Sequence, residues 1–276
     1  MVSFDGFPLG YEVFPGNMND SRTVKTIVTT MEARHGVIGR VWIADRGMSS
    51  RANLEWLRSS GRRYIIGAAK SELRKHAALL AESRGWRTLR EGVEVRLTCC
   101  AETGDTVVLA RSAERREKER AMHEKFSRRI EIGLARLAER IERARRPLDP
   151  AMIQRQIGRL LQKNQRAAAR YEVSLVDAKS PAGFHLHVKI SEAFDEWAKI
   201  SEGTYALKTN VTDWNDEKLW RAYIQLAQAE AAFRVQKSEL SIRPIWHQRA
   251  DRVEAHPGVL LGLRAVEDPR AVAAPC

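Results

Sequence analysis

Residues 219–240 carry two stripes that only a helix reconciles. Tyr223, Glu230 and Lys237 recur every seven residues, and so do Leu219, Leu226, Phe233 and Leu240. Seven residues make two helical turns with about 20° of drift, so each set keeps to one side of the helix. The apolar set predicts a face packed into a core. The polar set places a carboxylate between a phenol and an ammonium. That combination suits phosphate and a divalent metal, with the ammonium and phenol on phosphate oxygens and Glu230 as a hard oxygen ligand. The spacing alone favours an ordinary solvated face.

Upstream, strands and helices alternate. Asp20 with Ser21 predicts a helix cap, with the helix running to about Ala33. Residues 40–44 form a short apolar run that stops at Asp45, and Ser49 or Ser50 then caps a helix ending near Gly61. Residues 64–67 supply the next strand, so the pattern predicts an α/β core. Asp45 falls at the C-terminal end of its strand, where open α/β sheets build their sites, although position alone favours a turn or cap role.

Residues 70–202 break the alternation. Residues 93–98 and 106–110 flank Gly104-Asp105 as a predicted hairpin. Met122, Phe126, Ile130, Leu134, Leu137 and Ile141 then recur at three- and four-residue intervals, predicting an amphipathic helix that Pro147 stops. Asp149-Pro150 reads as the cap and first residue of a second helix, with Ile153, Ile157, Leu160 and Leu161 turned inward. His185 and His187 sit on one face of a predicted strand, a spacing that can bind metal but that favours a solvated strand face. The strand around residues 205–207 returns to the core, and Asp213 with Asp216 opens the helix described first.

Charge points to a polyanionic partner. Lys and Arg number 47 against 35 Asp and Glu, a net of +12 in 276 residues. Residues 111–170 alone hold 18 basic and 8 acidic side chains, so the outer faces of the helical hairpin are cationic. Three cysteines, two of them adjacent, form neither a disulfide framework nor a zinc motif. No run approaches 18 apolar residues and the N-terminus lacks a signal-peptide pattern, so the expectation is a soluble intracellular protein without a membrane partner.

Both ends read as incomplete. Asp5-Gly6 is a strong hairpin pair and residues 7–14 read as the strand after it, yet only four residues precede it. The expectation is a chain that starts inside a fold. After His256, Pro257 interrupts the pattern, and an Ala-, Pro- and Arg-rich tail suits a frameshifted or truncated end.

Tyr223-x₂-Leu226-x₃-Glu230-x₆-Lys237 resembles the Tyr-Arg-Glu-Lys signature of DDE transposases of bacterial insertion sequences, with Leu226 at the usual Arg position. Further stretches resemble one branch of that group in the same order. They are Phe14-Pro15-Gly16-Asn17 with Asp20, then Trp42-Ile43-Ala44-Asp45-Arg46-Gly47, then Tyr205-Ala206-Leu207-Lys208-Thr209-Asn210, and last Ser241-Ile242-Arg243-Pro244-Ile245-Trp246-His247.

The resemblance implies an α/β fold with an RNase H-like core, a mixed sheet with flanking helices, interrupted by an α+β insertion that contains the basic helical hairpin. The core would comprise residues 1–69, lacking its first strand, and residues 203–256. The insertion would span 70–202 and the irregular tail 257–276. The resemblance further implies divalent metal, Mg2+ or Mn2+, held by acids that include Asp45 and Glu230. Tyr223 and Lys237 would contact phosphates near the scissile bond, and Arg243 and His247 would touch DNA or shape the site. The family's first catalytic aspartate is expected upstream of Asp5, and neither Asp5 nor Asp20 takes its place. Partners would be double-stranded DNA, as transposon ends and target, and a second copy of the chain in a synaptic complex, in a cytoplasmic, nucleoid-associated setting. Arg128, Arg129, Arg136, Arg140, Arg155 and Arg159 of the basic hairpin are the candidates for tracking the DNA backbone.

A rival reading keeps the DNA and drops the chemistry. A basic hairpin needs no metal, so a catalytically inactive DNA-binding remnant that competes with or regulates intact transposase fits the composition equally well. A structural or RNA-binding coiled coil fits less well, because the apolar stripe lasts only about three heptads before Pro147.

Overall fold

The computed structural model describes residue 14 and residues 18–36, 40–48, 50–238, 249 and 252, with backbone alone for residues 35 and 228–238. The turn predicted at Asp5-Gly6, the strand predicted after it up to residue 13, and the tail from Pro257 lie outside the described residues.

In chain order the elements are α1 (Asp20–His35), β1 (Val41–Ala44), α2 (Arg51–Ser59), β2 (Arg63–Gly67), α3 (Ala77–Ala81), β3 (Arg87–Arg90), β4 (Val93–Cys99) and β5 (Thr106–Ser112). They continue with α4 (Ala113–Glu142), α5 (Pro150–Lys163), α6 (Gln165–Ala168), β6 (Tyr171–Asp177), β7 (Phe184–Ile190), α7 (Glu192–Ser201), β8 (Thr204–Thr209) and α8 (Asp216–Ser238). Six strands form one mixed sheet in the order β1-β2-β8-β5-β4-β3, and β6 pairs with β7 in a separate ribbon. The chain divides into two compact units. One comprises Met1–Ala69, Leu97–Val108 and Ala206–Cys276, the other Lys70–Arg96 and Leu109–Tyr205.

In the first unit, α1 is capped by Asn19, whose side chain accepts from the Ser21 N–H at 3.0 Å. Asp20, expected as the cap, is instead the first helical residue, where a carboxylate still favours the positive end of the helix dipole. Ser50 caps α2 by accepting from the Asn53 N–H, and Gly61 at φ +68° carries the chain out of the helix and into β2. β1 and β2 run parallel, with Trp42 opposite Tyr64 and Ala44 opposite Ile66, as a strand–helix–strand crossover requires. β8 lies antiparallel on the other side of β2, pairing Thr209 with Ile65 and Leu207 with Gly67.

Tyr64, Ile65 and Leu207 are fully buried, so β2 and β8 form the dry centre of this unit. Leu57 of α2, only 1% exposed, packs with Tyr64 and Ile66, a burial that stabilises by roughly 1.5–3 kcal/mol. α8 packs on β1 and β2, and of the predicted apolar stripe Leu219 is buried and Leu226 half-buried, while the side chains of Phe233 and Leu240 lie outside the described residues.

In the second unit, α4 and α5 form the predicted helical hairpin. Asp149 caps α5 by accepting from the Ala151 N–H, and Pro150 takes the first helical position, where it forfeits no hydrogen bond. Gly133 of α4 faces Leu160 of α5 so closely that a Cβ there would overlap the leucine methyls. One face of the β6–β7 ribbon lies on this hairpin, with Phe184 and Ala182 packed against Ile141, Ile153 and Ile157. Its other face is open: His185 and His187, opposite Val176 and Ser174, are both exposed.

Candidate functional site

β1 delivers Asp45 to the sheet's edge of loops. The strand ends at Ala44, and Asp45 is exposed with its Oδ1 accepting from the Arg46 N–H at 2.6 Å. The Met48 N–H returns to the Asp45 carbonyl at 3.0 Å, which closes a 3-10 turn over Arg46–Met48. Buried Asn53 of α2 holds this turn from behind. Its Nδ2 donates to Met48 O at 3.0 Å and to Ser21 O at 2.7 Å, tying the Asp45 turn to the start of α1. The Asp20 carboxylate also approaches here, with Oδ2 4.0 Å from where a Gly47 Cβ would sit.

α8 brings Tyr223 to the same corner. A Cβ built on Gly67, the last residue of β2, would overlap the Tyr223 hydroxyl and lie 3.3 Å from both Tyr223 Cζ and Arg46 N. The phenol therefore rests on the bare end of β2, next to the Asp45–Arg46 peptide. Tyr223 of α8 and the backbone of Arg46, next in the chain to Asp45, thus flank the same glycine.

The start of α8 is fixed by polar contacts that sequence spacing alone does not reveal. Asn215 caps it, accepting from the Lys218 N–H at 2.8 Å. Asp213, expected to help open the helix, instead pairs with Arg63 of β2. Just before the helix, Thr209 Oγ1 donates to Tyr64 O at 2.6 Å and Asn210 exchanges bonds with Tyr64 N and Arg62 O. The Thr209-Asn210 dipeptide, singled out as a motif, thus extends β8 with side-chain bonds to β2. Its local role is to lock the strand that leads into α8.

Behind β2 lies a buried polar cluster. Asp105 is 4% exposed and its Oδ2 accepts from Arg58 Nη2 at 2.7 Å, Tyr64 Oη at 2.9 Å and Thr103 Oγ1 at 2.9 Å. Burial, reinforced by the Asp105 carboxylate, raises the Tyr64 phenol well above its ordinary value, so this tyrosine is a neutral donor. Gly104-Asp105 does form the predicted turn, with Gly104 at φ +70°, but Asp105 is a structural anion as well as a turn residue.

Of the remaining predicted residues, Glu230 and Lys237 lie on the α8 helix, with side chains outside the described residues. Arg243 and His247 fall outside them entirely. The six hairpin arginines are all exposed. Arg128 and Arg129 fall on α4 with Arg136 and Arg140, and Arg155 and Arg159 on α5. They are not equivalent: Arg140 donates to Gln156 at 3.2 Å and Arg155 pairs with Asp149 at 3.7 Å.

A six-stranded mixed sheet flanked by helices is the architecture of an RNase H-like core. The family model for the transposase DDE domain matches residues 1–257, and the chain belongs to that family of DDE transposases. No curated protein and no solved structure matches the chain. The family acts on DNA and is generally dependent on divalent metal. Among the described residues, no helix is long and apolar enough to cross a membrane.

Whether the chain suits such a metal can be judged at Asp45. Its carboxylate is exposed at a strand end, and one oxygen accepts from the Arg46 N–H. A carboxylate there supplies the hard oxygen donor that Mg2+ and Mn2+ prefer. No group of three or more metal-binding side chains occurs among the described residues, which exclude the Glu230 side chain.

Proposed function

We propose that this transposase cuts DNA at the ends of its insertion sequence and joins them to a target, using Asp45, Glu230 and Tyr223 at one corner of the sheet. The observation that supports this most is the seat of Tyr223 beside the Asp45–Arg46 turn. Tyr223, the first residue of the signature, packs near the backbone of Arg46, the residue after Asp45, which supports grouping it with that acid. Asp45 and Glu230 would hold divalent metal, Mg2+ or Mn2+, which supplies charge neutralisation at the phosphodiester and activation of the attacking hydroxyl.

The chain's own groups then do the positioning. Tyr223 donates its hydroxyl proton in a hydrogen bond to a phosphate oxygen, with Lys237 as a neighbouring point charge two turns beyond Glu230 on α8. No covalent bond to the protein is needed, because catalysis of in-line displacement is mainly orientation and charge stabilisation.

The exposed arginines of the α4–α5 hairpin would hold the duplex through its phosphates, and a second copy would complete a synaptic pair. The test is strand joining. Purified chain is incubated with a labelled duplex of its insertion-sequence end, a supercoiled target plasmid and Mg2+. Joined product from the parent and none from Asp45→Asn supports the proposal. Duplex binding without joining, equal in both proteins, favours the inactive DNA-binding reading.

A further inference from the structure

Gly67 terminates β2 in extended backbone, paired across the sheet with Leu207. Its φ is not among the positive values found at the turn glycines, so conformation does not demand glycine here. Glycine inside a strand weakens it through backbone entropy and lost side-chain packing. What this position does demand is space. A Cβ would overlap the Tyr223 hydroxyl and would meet Tyr223 Cζ and Arg46 N at 3.3 Å. The phenol, anchored through α8 by buried Leu219 and Trp220 on one side of it, reaches the Asp45 turn only because β2 presents no side chain at this point.

We propose that Gly67 is a positioning residue: its missing side chain is the seat that sets the Tyr223 phenol against the Asp45–Arg46 turn. This rests on the phosphate-binding role assigned to Tyr223 above. A methyl at this point pushes the ring outward along the helix face by roughly an ångström, the scale of misplacement that costs up to about a hundredfold in rate. The methyl's approach to Arg46 N is a separate, smaller strain that does not involve the phenol.

The experiment is a double-mutant cycle between Gly67→Ala and Tyr223→Phe on the full chain. Thermal midpoints are read by circular dichroism, and nicking of the end duplex is measured over a range of DNA concentrations. Removing the hydroxyl leaves the new methyl only the ring edge and Arg46 N to accommodate. The expected result is that Gly67→Ala lowers Tm by about 2–5 °C in the parent and by less than half as much in the Tyr223→Phe background. Nicking by Gly67→Ala is expected to fall at least tenfold in kcat with KM for DNA within about twofold.

An equal Tm drop in both backgrounds overturns the proposal, because the strain would then come from Arg46 or from the strand itself. A coupled Tm with nicking unaffected by Tyr223→Phe would keep Gly67 as the seat and overturn the phosphate role of the phenol. The two failures are therefore distinguishable.

Discussion

Replacing Asp105 by alanine tests whether the buried cluster behind β2 holds the first unit together. The carboxylate is 4% exposed and accepts three hydrogen bonds on one oxygen, from Arg58, Tyr64 and Thr103. Its loss takes away the acceptor of the buried Tyr64 hydroxyl, which keeps only the Arg58 donor at 3.1 Å, and leaves the Arg58 guanidinium with the exposed Glu55 as its anion. Arg58 Nε already lacks a hydrogen-bond partner among the described residues, so the guanidinium has little slack. Removing one partner of a fully buried ion pair costs about 3–5 kcal/mol, and the partly exposed Arg58, which keeps Glu55, puts this pair at the lower end of that range.

Against a typical total of about 5–15 kcal/mol, that is a large share. With roughly 2–4 °C per kcal/mol for a chain of this size, the expected fall in Tm is on the order of 10 °C. The assay is guanidinium unfolding of parent, Asp105→Ala, Asp105→Asn and an Arg58→Met/Asp105→Leu pair, followed by circular dichroism. Asn keeps an acceptor and is expected to lose about half as much, while the apolar pair recovers most of the loss because no charge is left unpaired. A loss below about 1 kcal/mol for Asp105→Ala would refute the reasoning, since exposed pairs contribute that little.

Glu32 and Arg62 give a pH prediction. Their two-point bond, at 2.9 and 2.6 Å, holds the Glu32 carboxyl below its ordinary value despite the opposing effect of burial. The folded state thus binds fewer protons than the unfolded one. The stabilisation is present above the unfolded carboxyl value of about 4.3 and is lost as pH falls through the lower folded value. Glu32→Gln should flatten the stability–pH curve below about pH 4.3, and an unchanged slope would remove this pair from the acid response. In the basic hairpin, reversing Arg136 and Arg159 is expected to lower the salt slope of duplex binding by about 0.9 for each phosphate no longer neutralised. Reversing Arg155, which has Asp149, should lower it by less, and equal effects at all three positions would contradict that ranking. Gly133→Val should destabilise by about 1–3 kcal/mol through overlap with Leu160 and be relieved by Leu160→Ala in the same denaturant assay.

The alternation of residues 20–67 and the apolar periodicity of the hairpin were readable because each reflects burial of one face. α4 begins at Ala113, well before the apolar stripe starts, because that segment is held by ion pairs such as Lys118–Glu114 and Arg120–Glu124 four residues apart. Hydrophobic periodicity is blind to such a helix. β3 went unseen because Arg87–Arg90 is a mostly exposed edge strand with no apolar alternation. Asp45 and Tyr223 were identified from local pattern and resemblance. Gly67, Asn53 and Asp105, which hold their surroundings, were not, because their roles exist only between segments distant in sequence. A glycine in an extended strand was the one available signal, and it marks close approach without naming what approaches.

The central claim is that Asp45 and the signature helix form one phosphodiester-cleaving corner. The most direct measurement is nicking of the labelled end duplex with Mg2+ or Mn2+ by the parent, Asp45→Asn and Glu230→Gln, each first shown to bind the duplex with equal affinity. Metal-dependent nicking by the parent, reduced at least about a thousandfold in both variants, is the predicted result. Nicking that survives both substitutions, or a parent that binds the duplex and never cuts it in either metal, would contradict the claim.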